Sequence, residues 1–381
     1  MSAQTAAAAA SRAGERPIRV MVVDDSGVAR SLMGHWLAAE PDIAVVASLR
    51  SGREAVDWIA RGEADVAVLD IEMPDLDGLS ALPQLLARRR DLVIIMASTL
   101  TRRNAEISLK ALSLGAADYV TKPETGRGGG TAAAFRRDLI AKVRVGGQRH
   151  RVVRWPRPSL HVPGTAAPPG IESVPLVQRI APALAKAPPQ ALVVGASTGG
   201  PQALEALVPA LRCAAARVPV LIVQHMPPTF TTILAEHLAR ASGIPAREAQ
   251  HGESLVNGTL YVAPGGRHLC AARRGGLPVA VLDDGPPLNF CKPAVDVLFR
   301  SAGEVWGART LGIILTGMGV DGTEGGHALV DGGGVLLAQD EATSAVWGMP
   351  GSAAQAGLCT AVLPLGEIGE AIARIVTGDR T

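Results

Sequence analysis

The sequence predicts two doubly wound α/β domains in one chain of 381 residues. Three observations carry that expectation. Short apolar runs of strand type alternate with segments of helical spacing from residue 18 to about 145, and again from about 190 to the end. Residues 146–189, between the two halves, are rich in proline and poor in periodic apolar positions. In both halves the polar residues able to do chemistry follow directly on the strand-type runs, at the edge where open α/β sheets bind ligands.

Composition agrees with this reading. Hydrophobic residues make up 48%, enough for two cores, while aromatics are 3% and there are 43 glycines and 27 prolines, so the cores should be small, aliphatic and rich in tight turns. A net charge of +2 gives no global electrostatic reason to bind nucleic acid. Cys213, Cys270, Cys291 and Cys359 are widely spaced with no Cys-x-x-Cys, and read as reduced, mostly buried thiols. No apolar run reaches the roughly 18 residues of a membrane span, so direct membrane insertion is not expected. Residues 1–17 hold an alanine tract without a basic segment ahead of it, which reads as a disordered tail and not a signal peptide. The chain is therefore expected to be cytoplasmic.

In the first half the strand candidates are residues 18–23, 43–48, 66–69, 92–97 and 118–121, with helical patterns between them. Their continuous β-branched runs suit a parallel sheet covered on both faces. Asp24 and Asp25 follow the first run, Asp70 the third, Ser98 the fourth and Lys122 the fifth. A single aspartate at such a place is accounted for as a helix cap, but capping does not account for the whole set. Three carboxylates meeting at one edge call for a hard cation, and oxygen ligands suit Mg²⁺. A carboxylate beside Mg²⁺ can attack a phosphoryl group, with Lys122 and Ser98 holding the transferred oxygens.

Val22-Val23-Asp24-Asp25-Ser26, Val68-Leu69-Asp70-Ile71-Glu72-Met73-Pro74, Met96-Ala97-Ser98 and Thr121-Lys122-Pro123 closely resemble the signature of response-regulator receiver domains, over about residues 18–145. The resemblance implies a flavodoxin-like fold. It implies Asp70 as phosphoacceptor, with Asp24, Asp25 and Asp70 as the Mg²⁺ carboxylates. It also implies Ser98 and Lys122 as phosphate-sensing residues, Tyr119 as the aromatic switch, and a Lys122–Pro123 bond that is usually cis in the family. A glycine-rich insert at 126–130 departs from the family pattern and reads as a mobile loop.

Residues 146–189 read mostly as an interdomain linker, with a short helix somewhere in 173–184. Arg136, Arg137, Lys142, Arg144, Arg149, Arg151, Arg154 and Arg157 make the approach to it basic, either as a solvated hinge or as a docking segment for an acidic partner.

The second domain, residues 190–381, opens on the apolar run from Ala191 to Ala196, which breaks at Ser197-Thr198-Gly199-Gly200 and continues in helical spacing. Gly-x-Ser-x-Gly in a strand-to-helix turn fits a nucleophile elbow beside free backbone N–H groups. A glycine-rich turn of this kind also fits a phosphate or dinucleotide cradle. The next strand run, 218–223, ends in Gln224-His225, whereas a dinucleotide site expects an acidic residue there. The run 311–316 ends in Gly317-Met318-Gly319-Val320-Asp321. A serine, a histidine and an aspartate thus each fall past a strand end that a parallel sheet brings to one edge. A serine hydroxyl needs a base, which His225 supplies near neutral pH, and Asp321 would fix its tautomer. His237, His251, His268 and His327 lack that placement.

The segments around Ser197, His225 and Asp321, with Gln339-Asp340-Glu341-Ala342-Thr343-Ser344, look like the catalytic domain of chemotaxis-type protein-glutamate methylesterases. The expected second fold is therefore a Rossmann-like, mainly parallel sheet with a Ser-His-Asp triad. Together the halves resemble the phosphorylation-regulated methylesterase response regulators. The resemblance implies Ser197, His225 and Asp321 as the triad and the Met318 backbone N–H in the oxyanion hole. It implies demethylation of glutamate methyl esters on chemoreceptors with release of methanol, and deamidation of receptor glutamines. It further implies methyl-accepting chemoreceptors and a chemotaxis-type histidine kinase as partners, a monomer, and no cofactor for the ester hydrolysis. A receiver-coupled transcription regulator would need a basic helix-turn-helix, which the glycine-rich second half lacks. A non-catalytic scaffold would have lost one of the three residues, and all are present.

Overall fold

The computed structural model describes residues 16–123, 130–154 and 175–379, with side chains described for residues 132–148 of the second stretch. The expected tail up to residue 15 and most of the 126–130 insert lie outside the described residues. The chain divides into two compact units, Met1–His161 and Val162–Thr381.

In the first unit the strands are β1 (Ile18–Val23), β2 (Ile43–Leu49), β3 (Val66–Asp70), β4 (Val93–Ser98) and β5 (Asp118–Thr121). They form one parallel sheet in the order β2-β1-β3-β4-β5. β1, β3 and β4 are buried along their whole length, which is why they read as unbroken apolar runs. Helices cover both faces, and their starts are set by side-chain caps. Ser26, Ser51, Asp77 and Thr101 each accept a hydrogen bond from the backbone N–H three residues on.

The last helix of this unit, Gly130–Arg154, runs past the boundary expected at 145. Gly146 and Gly147 look like a stop in the sequence, yet they are buried against the sheet. A Cβ at Gly147 would come within 2.6 Å of Ile18, and one at Gly146 within 3.0 Å of Val93. These glycines thus serve close helix–sheet packing inside the helix. Of the basic run near it, Arg149, Arg151, Arg154 and Arg157 lie outside the residues whose side chains are described, while Lys142 and Arg144 are paired within the unit. Arg144 bonds Glu40 and Asp42 at 2.7 and 2.8 Å, and Lys142 lies 3.4 Å from Asp118 and 3.3 Å from Asp138. The acids that neutralise these two come mainly from elsewhere in the chain, so local sequence hid them. The short helix expected in 173–184 appears as two turns, Leu176–Arg179 and Ala181–Leu184.

The second unit contains β6 (Ala191–Ala196), β7 (Val220–Gln224), β8 (Ala246–Glu248), β9 (Leu260–Val262), β10 (His268–Arg274), β11 (Leu277–Asp283), β12 (Thr310–Ile314), β13 (Val335–Gln339) and β14 (Ala361–Leu363). Seven of them make a parallel sheet in the order β14-β13-β12-β6-β7-β9-β8, and β10 and β11 form a separate antiparallel hairpin. β6 is the first strand of the unit, and the chain moves to β7 on one side and later to β12 on the other. That makes the carboxyl end of β6 the topological switch point, where a crevice opens. The core on one face joins β6 and β7 residues to Tyr261, Val295, Leu298 and Phe299.

Among the described residues the cis peptide bond is Lys292–Pro293, not the Lys122–Pro123 bond expected from the family. A bond before proline takes either form at small cost. The four cysteines are free, as expected, but each is partly exposed, not buried.

Candidate active site

At the sheet edge of the first unit, Asp24, Asp25 and Asp70 bring carboxylate oxygens within 4.8 Å of one another. Asp24 and Asp70 are buried and Asp25 is exposed. Lys122 Nζ lies 2.7 Å from Asp24 Oδ2 and 2.6 Å from Asp70 Oδ1. Asp70 Oδ1 also accepts from the Ile71 N–H at 2.8 Å. Burial pushes the Asp70 carboxyl up to about 6, with Lys122 pulling it down and Asp24 adding to the rise. One ammonium facing three carboxylates leaves excess negative charge on hard oxygen donors, and this set fits a cation of the Mg²⁺ class. Ser98 is buried on β4, where its hydroxyl donates to the Thr99 and Asn104 carbonyls at 3.2 and 3.4 Å. Tyr119 is buried, which raises its hydroxyl pKa well above the usual value, and Lys142 Nζ sits 5.1 Å from its ring centre.

In the second unit, β12, β6 and β7 are neighbours, with Ala196 opposite Gln224 and Gly195 opposite Ile314. Ser197 therefore leaves the sheet between the strand ends that carry His225 and Asp321. Its turn is fixed from both sides. The Ser197 N–H donates to the Thr316 carbonyl at 3.0 Å, and Gln224 Nε2 donates to the Ser197 carbonyl at 2.8 Å. Thr316 Oγ1 donates to the Thr198 carbonyl at 2.9 Å. Gly199, at φ +77°, takes the left-handed conformation that starts the next helix, which glycine adopts without cost. Gly317 allows the β12 loop to come against the serine, since a Cβ there would lie 2.8 Å from the Ser197 Cβ.

His225 Nε2 and Asp321 Oδ2 are 2.7 Å apart. Asp321 is buried and accepts three backbone N–H bonds as well. Oδ2 takes Val295 at 2.7 Å, and Oδ1 takes Asp296 and Gly322 at 3.0 Å each. Two of those donors open the helix Val295–Trp306, so the carboxylate sits on the positive end of a helix. Burial raises its pKa, but the His225 bond and these N–H groups outweigh it and the net shift is down. For His225, burial pulls the pKa down, but the hydrogen bond to Asp321, with a further contribution from the Cys291 sulfur, pulls it up more strongly, and the net shift is up.

The structure brings His225 and Asp321 into direct contact and sets Ser197 on the adjoining strand end. The Ser197 hydroxyl makes no hydrogen bond among the described residues. The second ring nitrogen, His225 Nδ1, lies 3.4 Å from Cys291 Sγ. Serine–histidine bonds in unliganded sites are often long and tighten only with substrate. The backbone N–H groups of Thr198, next in the chain to Ser197, and of Met318, next to Gly317, make no hydrogen bond among the described residues. His268 bonds Ala294 N and Pro286 O, and His237 faces Glu205, so both serve packing.

Sequence reasoning missed Gln224 as the clamp on the serine turn. It also missed Asp296, whose Oδ1 accepts Gly322 and Gly325 N–H at 2.9 and 2.7 Å and so holds the Asp321 loop, and Cys291 beside the imidazole. The adjacency of Gln224 to His225 was visible. Asp296 and Cys291 reach the site only through the fold.

Residues 192–372 match the CheB methylesterase family, and residues 20–128 match the response regulator receiver domain. The chain is similar to a protein-glutamate methylesterase/protein-glutamine glutaminase of group 2 operon from Rhodopseudomonas palustris, at 56% identity over 377 residues covering 96% of each chain. It has the same identity, over 382 residues and 96% of each chain, to a protein of that description from Bradyrhizobium diazoefficiens. Among solved structures it is similar to the Thermotoga maritima CheB methylesterase catalytic domain. That likeness has 38% identity and a TM-score of 0.48, and covers 50% of this chain and 100% of the other.

Proposed function

Since the chain belongs to the CheB methylesterase family, we propose that Ser197, His225 and Asp321 carry its hydrolysis, with Asp70 as the phosphate-accepting control point. The chain is a phosphorylation-regulated protein-glutamate methylesterase and protein-glutamine glutaminase. It removes methyl groups from chemoreceptor glutamates, releasing methanol, and deamidates receptor glutamines. The observation that supports the residue assignment best is the 2.7 Å His225–Asp321 bond at the strand end beside Ser197.

In the proposed reaction the Nε2–H of His225 donates to Asp321, which leaves the Nδ1 lone pair to take the Ser197 proton. Ser197 Oγ then attacks the ester carbonyl carbon. The oxyanion is held by the N–H groups of Met318 and Thr198. Methanol leaves with the proton from His225, and water attacks the acyl-serine by the same route in reverse. With glutamine as substrate, ammonia leaves instead.

In the receiver, Asp24, Asp25 and Asp70 would hold Mg²⁺. Bound there, the cation would offset the carboxylate charge and shield the incoming phosphoryl oxygens. Lys122 bonds the Asp70 carboxylate, and in this reading Ser98 and Tyr119 respond to its modification. The enzyme is proposed to act in the cytoplasm as a monomer, on methyl-accepting chemoreceptors, with a chemotaxis-type histidine kinase as phosphodonor. No described helix is long and apolar enough to cross a membrane.

The test is incubation with methyl-labelled receptors and measurement of released methanol. Ser197→Ala should slow release by orders of magnitude, and adding His225→Ala should cost little more, because triad members act as a unit. Retention of most activity in Ser197→Ala would remove the serine from its role.

A further inference from the structure

We propose that Cys291 and His225 form a binding site for a borderline-soft divalent cation of the Zn²⁺ class, and that its occupation switches the esterase off. This rests on the reading of His225 as the base. Two observations carry the inference: the Cys291 Sγ to His225 Nδ1 separation of 3.4 Å, and the Asp321 carboxylate on the other ring nitrogen.

The separation is close to what such a cation requires. With Zn–S near 2.3 Å and Zn–N near 2.0–2.1 Å, a tetrahedral angle puts sulfur and nitrogen about 3.6 Å apart. The ring is already oriented for it. Nε2–H faces Asp321, so the Nδ1 lone pair points at the thiol, and the carboxylate behind the imidazole raises its strength as a ligand. Cys291 is a partly exposed residue, on the solvent side of the site. The turn that carries it is tied down at both ends. Leu288 and Cys291 exchange backbone hydrogen bonds of 3.1 and 2.7 Å, and Asn289 Nδ2 donates to Asp296 Oδ2 at 3.2 Å.

Binding exchanges protons without redox chemistry. The cation forms one bond to Cys291 sulfur and one to His225 Nδ1, and the thiol proton passes to solvent. Water fills the remaining positions. The nitrogen lone pair that would accept the Ser197 proton is then occupied, so the serine stays protonated and hydrolysis stops until the metal is removed.

The experiment uses the full-length protein with Co²⁺ as a spectroscopic probe and Zn²⁺ as the inhibitor. Co²⁺ should give a thiolate-to-metal charge-transfer band that Cys291→Ser abolishes and Cys270→Ser keeps. The carboxylates at Asp24, Asp25 and Asp70 can also take Co²⁺ but supply no sulfur. Zn²⁺ should inhibit methanol release reversibly with a chelator, and Cys291→Ser should raise the half-inhibiting Zn²⁺ concentration at least tenfold. A band that survives Cys291→Ser, or equal Zn²⁺ sensitivity in both proteins, overturns the proposal. Because the band is read without turnover, failure of the serine assignment leaves this result separately legible.

Discussion

At the scale of single residues, the balance at His225 has a measurable consequence. The base acts only when neutral. Its pKa is raised by Asp321 and Cys291 against the effect of burial, so protonation silences it over a wider range than for a free imidazole. The rate should therefore rise with pH through a limb lying above the ordinary value of about 6.5. A pH profile of kcat/KM for methanol release checks the sign, and a limb below that value would contradict it. The three proposed residues could be picked out from the sequence, and the structure adds the His225–Asp321 contact. Ser197, His225 and Asp321 each follow a strand end, and strand ends can be read from sequence. Cys291 was not legible as a neighbour of His225. It arrives from a turn 66 residues away, and no local pattern encodes that approach.

At the scale of elements, the limits of β1 and β5 match the sequence reading because their apolar runs end in charged or polar residues. The helix Gly130–Arg154 was misjudged because its paired glycines serve packing. β8 and β9, three residues each, are too short to show a period. The loop after β12 matters most for chemistry. Gly317→Ala would press a methyl group to 2.4 Å from Met349 Sδ and 2.8 Å from the Ser197 Cβ. Overpacking of this kind costs on the order of 1–3 kcal/mol. It should lower the melting temperature and reduce turnover more than binding, since the displaced group is the proposed nucleophile. Thermal melts and steady-state kinetics on the same protein separate the two effects. Unchanged turnover would mean that the serine turn tolerates the shift.

At the scale of the whole molecule, a switch unit and an enzyme unit share one chain, and phosphorylation governs the activity. The expected mode of control is restraint. A fragment starting near Pro189 should release methanol faster than the intact, unphosphorylated protein. Intact protein given Mg²⁺ and a small phosphodonor should accelerate, and Asp70→Asn should neither take up phosphate nor respond. A tenfold change needs about 1.4 kcal/mol of differential binding between the two units, within reach of a few contacts. Equal rates for fragment and intact protein, with and without phosphodonor, would replace restraint by delivery of the enzyme to its receptor.

The position of β6 between β7 and β12 also sets the order in which function can appear during folding. His225 and Asp321 are separated by 96 residues, and each must arrive from a different side of the serine's strand. Helices and the local β6–β7 pair can form early, while closing β12 onto β6 requires a long loop to be ordered first, the slow kind of contact. Recovery of esterase activity after dilution from denaturant should therefore lag behind the return of the far-ultraviolet circular dichroism signal. Recovered catalysis would then report the closure of β12 onto β6, a pairing that no far-ultraviolet signal isolates.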